Sequence, residues 1–154
     1  MSEHRASVRW KRESADFAYD NYNRSHEWEL SGVRVPASAA PEFLGSDTRV
    51  DPEQAFVAAL SGCHMLTFLA VASRRRLVVD RYEDDAVGFL VKNPDGKLHM
   101  ARVVLHPRVV FAPGAEPPPS DLEKLHHTAH ENCFIANSVT TEVAVEPVEP
   151  EDGY

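Results

Sequence analysis

Two thiols are the residues of this sequence best suited to chemistry. Cys63 lies in ALSGCHMLTFLAVA, residues 59–72, and Cys133 closes LHHTAHENC, residues 125–133. A free cysteine in an apolar stretch usually acts as a small hydrophobe. Three features favour a redox role over that reading. The Ser61-Gly62 pair lets another backbone approach Cys63, His64 is polar where a pure core would be apolar, and each of two helical patterns offers one thiol. A thiol that reduces peroxides must ionise near neutral pH, against an ordinary value of about 8.5. Cys63 lies 12 residues past the helix start at Asp51, about 18 Å along the axis. The helix dipole fades within the first turn, so a cation must come from elsewhere. Arg24, Arg34 and Arg49 are the candidates, and spacing alone does not choose among them.

A second chemistry competes. His126, His130 and Cys133 stand at i, i+4 and i+7, one face of a helix. Imidazole and thiolate suit zinc, but a closed site needs four ligands and no fourth is evident. The two cysteines form no C-x-x-C and no zinc-finger spacing. Zinc binding through these three residues stays open as an alternative. So does a non-catalytic, stress-related binding dimer whose thiols are structural. His64 reads as a satisfied core histidine without a catalytic role.

The elements that must position the thiols can be read from patterning. Val8 and Trp10, Trp28 and Leu30, then Val33 and Val35 alternate with polar residues, which predicts N-terminal strands within 5–36. A loop over 36–50 leads to Asp51-Pro52, a capping carboxylate followed by proline at the first helical position. Glu53 suits the positive end of that helix, which is expected over 51–75 with Arg74, Arg75 and Arg76 as a solvated end. Apolar, β-prone segments either side of Asn93-Pro94-Asp95-Gly96 predict a long hairpin over 84–111. Ser120 with Glu123 reads as a capping box that opens a second helix over 120–133. A terminal strand is expected over 139–146. This order is an α+β pattern. A helix apolar all round needs cover on every side. One small sheet covers one side, so a second subunit is expected to cover the other.

Composition narrows the function classes. The 154 residues are one domain's worth, or two small lobes sharing a core, with 43% hydrophobic and 26% charged residues that argue against disorder. A formal charge of −8 disfavours nucleic acid as a partner. Glu146, Glu149, Glu151 and Asp152 read as a solvated acidic tail. The N-terminus has no apolar signal region. Ala55–Ala72 is interrupted by Ser61, Gly62, His64 and Thr67 and falls short of the roughly 20 apolar residues of a span. It is expected to be a core helix, with no membrane association. A cytoplasmic location follows as an expectation, with thiols kept reduced.

DPEQAFVAALSGCHMLTFLAVA, a hairpin, and then AHENCFIANSVTTEVAV resemble the OsmC/Ohr family of thiol-dependent hydroperoxide reductases, over roughly residues 20–146. The resemblance implies an OsmC-like fold, with β-sheets wrapped around two long central helices in an intertwined homodimer. It implies Cys63 as the peroxidatic cysteine, Cys133 as the resolving one, Glu53 as the carboxylate of the P-E motif, and Arg24 as the partner of the reactive sulfur. Glu53 and Cys63 are ten residues apart, about 15 Å on one helix, so Glu53 would serve the site from the other subunit. An organic hydroperoxide would enter past Phe56, Leu60, Met65 and Phe68, and Cys63 would become a sulfenic acid that condenses with Cys133. An external dithiol, such as a lipoylated protein, would reduce the disulfide. No cofactor or metal is implied. The sequence departs from the family where phenylalanine, Phe134, follows the second cysteine in place of the common proline.

Overall fold

The computed structural model describes residues 1–150. Glu151 and Asp152 of the acidic tail lie outside them. The described chain divides into two compact units, the first over residues 1–55 and the second from residue 56 onward.

The first unit is built on a three-stranded antiparallel sheet of β1 (Ser7–Arg9), β2 (His26–Leu30) and β3 (Val33–Ala37), in that order. Trp28 sits opposite Val8 on one side and Val35 on the other, which aligns the apolar positions of the three strands. Ser31 and Gly32 close the β2–β3 hairpin with φ of 51° and 81°. Positive φ at both central residues is the two-residue turn that matches strand twist. The link between β1 and β2 is tied by Asn23. Its amide donates to the Lys11 carbonyl at 3.0 Å, its side-chain oxygen accepts the Glu13 N–H at 2.9 Å, and its own carbonyl accepts the Trp10 indole N–H at 2.7 Å. A short 3₁₀ turn, Pro41–Phe43, interrupts the loop expected over 36–50.

The central helix, α1 (Pro52–Arg74), starts at the end of this unit and runs through the second. Asp51 Oδ1 accepts the Gln54 N–H at 2.7 Å while Gln54 Oε1 accepts the Asp51 N–H at 3.3 Å, a reciprocal capping box. At its far end Arg76 adopts φ 60°, and the N–H groups of Arg76 and Leu77 bond back to Ser73 and Ala72. That Schellman arrangement satisfies carbonyls the helix would otherwise leave open. By length and composition α1 could cross a membrane. One stripe of it, Leu60, His64, Phe68 and Ala72, is buried within the unit.

The second unit continues with β4 (Val79–Asp84), β5 (Val87–Lys92), β6 (Leu98–Leu105), β7 (Pro107–Phe111), α2 (Pro119–Glu131) and β8 (Glu142–Val145). The expected hairpin is present but longer, and it is split. β5 pairs with β6, β4 pairs with β7, and β8 adds parallel to β6. The split falls at His106, whose N–H donates to Asp84 Oδ1 at 2.7 Å, while Ser61 of α1 donates to Asp84 Oδ2 at 2.5 Å. One carboxylate thus pins the corner of the hairpin to the helix.

Two apolar clusters hold the unit together. One joins Phe68 and Ala72 of α1 to Val109, Phe111, Leu125 and Ala129; the other joins Leu60 to Val103 and Leu105. α2 does not open with the expected capping box. Pro118 is the cap, Pro119 the first helical residue, and no side chain caps the helix. A proline at the first position brings a helical φ and has no N–H to leave unsatisfied, so the start moves ahead of Ser120. α2 also stops at Glu131, so Cys133 lies beyond the helix rather than on it.

Candidate active site

Cys63 sits in the middle of α1, flanking its buried stripe, and is half-buried. Cys133 follows the cap residue Asn132 and is only 1% exposed. The turn after α2 fixes its place: its N–H bonds to the His130 carbonyl at 3.2 Å, and its carbonyl accepts the Asn137 N–H at 3.0 Å. Both cysteines are free, and their side chains are near enough to interact. The Cys133 thiol is pushed up to about 11, first by burial and then by the neighbouring Cys63. A thiol whose pKa is raised stays protonated at neutral pH.

The neighbouring histidine is not an isolated core residue. His64 Nε2 lies 3.2 Å from His126 Nδ1, with the rings nearly parallel at 6° and 5.5 Å between centroids. Phe68 packs against the His126 ring at 4.6 Å. Burial, with His130 nearby, pushes His64 down to about 4 against an opposing pull from Asp84; burial and His64 push His126 down to about 4. Both rings are therefore neutral at pH 7. His64 Nδ1, His126 Nε2 and His130 Nδ1 are buried without a partner, so the expectation of a satisfied core histidine holds for only one of the two nitrogens of His64.

The zinc reading does not survive this geometry. Among the described residues no group of three His, Cys, Asp or Glu side chains converges to hold a metal ion. The i, i+4, i+7 spacing assumed a helix through Cys133, but the helix ends first, His126 turns Nδ1 to His64, and Cys133 turns to Cys63.

The expected substrate lining is also altered. Leu60 and Phe68 are fully enclosed in the two core clusters, and Phe56 packs against the second. A cavity of about 300 Å³ lies along α2 and β8, with His126, His130, Val143 and Val145 in its wall. No spacing in the sequence announced it, because its walls come from segments brought together only by packing.

The remaining site residues belong to the first unit. Arg24 is half-buried and held in place there. Its guanidinium donates to the Tyr22 carbonyl at 2.7 Å and the Tyr19 carbonyl at 2.5 Å, and lies 3.9 Å from the centre of the Tyr22 ring. Arg34 is exposed and pairs with Glu27 at 3.7 Å on the sheet surface. Glu53 stands half-buried in the first turn of α1, where its charge suits the helix dipole. Of the candidate cations, Arg24 has the most ordered surroundings.

The OsmC-like protein family model matches residues 45–148, which include both cysteines. This chain belongs to the OsmC-like family. An OsmC-like protein of unknown function from Vibrio cholerae is 52% identical, with a TM-score of 0.91 over 96% of this chain and 100% of that one. The organic hydroperoxide resistance protein OsmC from Legionella pneumophila is 18% identical, with a TM-score of 0.70 over 98% and 100% of the two chains. The organic hydroperoxide resistance protein OhrB of Bacillus subtilis is 19% identical, with a TM-score of 0.66 over 97% and 98%. The last two likenesses show the OsmC-like fold. No curated protein matches the sequence.

Proposed function

We propose that this OsmC-like chain is a cysteine-based peroxidase that reduces organic hydroperoxides to alcohols. The observation that carries the reading is the meeting of two free thiols 70 residues apart in the chain, with unequal access to solvent. Cys63 is the reachable sulfur and takes the role of nucleophile; Cys133, enclosed and protonated, takes the role of resolving thiol.

In this mechanism the Cys63 thiolate attacks the distal peroxide oxygen. The O–O bond breaks, an alkoxide leaves and is protonated to the alcohol, and Cys63 becomes a sulfenic acid. Cys133 then attacks the Cys63 sulfur, water leaves, and a disulfide forms. An external dithiol, such as a lipoyl group, exchanges with that disulfide and returns both thiols. Arg24 is assigned the stabilising charge and Glu53 the orientation of that charge, both supported by the family resemblance and, for Arg24, by its ordered surroundings. The working unit is a homodimer, supported by the exposed apolar face of α1 at Ala59, Leu66 and Ala70, opposite its buried stripe.

The test is intact-mass spectrometry after one equivalent of cumene hydroperoxide. Loss of two hydrogens, with a Cys63–Cys133 bond in the peptide map, is the expected result. Unchanged thiols beside unconsumed hydroperoxide would overturn the proposal.

A further inference from the structure

The buried imidazole pair is poorly explained as a contribution to stability. His64 and His126 are 1% and 4% exposed and satisfy one nitrogen each through their mutual bond, leaving His64 Nδ1 and His126 Nε2 buried without partners. Buried polar atoms left unpaired destabilise, whereas an apolar pair of similar shape would fill the same space at no such cost. What a hydrogen bond adds to an apolar core is direction. This one joins α1 to α2, beside the cluster of Phe68, Ala72, Leu125 and Ala129, which otherwise packs the two helices through non-directional contacts. Its ends sit near the thiols in sequence: His64 adjoins Cys63, and His126 lies seven residues ahead of Cys133, on the helix that leads to it.

We infer that His64 and His126 are positioning residues for the thiol pair, their hydrogen bond locking α1 against α2 so that the Cys63 and Cys133 sulfurs face each other. The inference rests on the dithiol reading above, but its test needs no hydroperoxide. Sliding α1 past α2, or rotating either helix, would break the bond and separate the sulfurs together. Sulfurs held face to face close a disulfide far more readily than sulfurs free to move apart, which makes their effective concentration a direct measure of the lock.

That quantity is measured by equilibrating the full chain with oxidised and reduced glutathione. The protein dithiol gives up two electrons and two protons, its S–S bond forms, the glutathione S–S bond breaks, and two glutathione thiols result. Two amide variants separate a bridge from mere polarity. In His126→Asn the amide nitrogen occupies the place of Nδ1 and keeps the bond to His64. In His126→Gln the amide sits at the place of Nε2 and loses it. The expected result is an effective concentration close to that of the unaltered protein for His126→Asn and a fall of about tenfold for His126→Gln. The double variant His64→Leu/His126→Leu should show the same fall with a melting temperature equal or higher, a separation that a merely structural role would not give. Equal values for His126→Asn and His126→Gln would overturn the inference whether or not the leucine variant folds.

Discussion

Cys63 and Cys133, 70 residues apart in the chain, interact through their side chains, and of the two only Cys63 is open to solvent. This asymmetry predicts selective alkylation. With iodoacetamide at pH 8, Cys63 should be modified at least about tenfold faster than Cys133, because the buried partner is both shielded and held as a thiol. In denaturant the two should react alike. Peptide mass spectrometry over a time course reads the ratio, and equal rates in the native chain would contradict the geometry.

The same asymmetry fixes what each serine variant should do. Cys63→Ser should abolish hydroperoxide consumption, with turnover down by about 10³ or more, since the other thiol is buried. Cys133→Ser should consume one equivalent in forming the Cys63 sulfenic acid, with no intramolecular disulfide to follow. Its Cys63 should then advance to sulfinic acid under excess oxidant, because nothing captures the sulfenate. A gain of two oxygens on the Cys63 peptide is the expected mass signature.

Parts of this site are legible in the sequence and parts are not, for physical reasons. Asp51-Pro52 marks the start of α1 because capping and proline φ are local effects, although the reciprocal bond from Gln54 was not read. The Asn93–Gly96 turn is local in the same way, with Gly96 at φ 78° and Asn93 Oδ1 accepting the Lys97 N–H at 2.9 Å. β4 has no signature in the sequence because VDRYED carries charges on both faces and becomes a strand only by pairing with β7. The break at His106 depends on a carboxylate 22 residues earlier. The His64–His126 bridge spans 62 residues, and no periodicity encodes it. Leu60 and Phe68 looked like pocket lining because apolar residues that line a site and those that fill a core share one composition.

The imidazole pair makes stability depend on pH in a definite direction. His64 and His126 each fall from 6.5 to about 4 on folding, so between these values the unfolded chain binds more protons. Stability is then full above about pH 6.5 and declines as pH falls towards 4. Urea midpoints at pH 7.5 and 4.5 should show the decline. The double variant His64→Leu/His126→Leu should flatten it, leaving only the slope from other groups.

The capping box offers a smaller and cleaner measurement. Asp51→Ala should cost about 1 kcal/mol, since the Gln54 N–H loses its acceptor at the start of the helix that carries Cys63. Gln54→Ala should cost less, because its bond to the Asp51 N–H is the longer one. The two losses should not add, as each removes part of one reciprocal arrangement. Urea denaturation of both single variants and the double variant gives the coupling directly.

The exposed side of α1 yields the last prediction. Leu66 is 65% exposed on a helix whose opposite face carries the buried stripe. An apolar row of this kind, with Ala59 and Ala70 on the same side, is costly to leave in water and marks an association surface. If two copies pair along it, sedimentation equilibrium at micromolar concentration should return twice the chain mass. Leu66→Glu places a charge in the row without touching the core of the unit, so it should shift the protein to monomer while the circular dichroism of the helices persists. A wild-type monomer at that concentration would leave the face to some other partner and would remove the homodimer from the proposed mechanism, along with the role given to Glu53 from a second subunit.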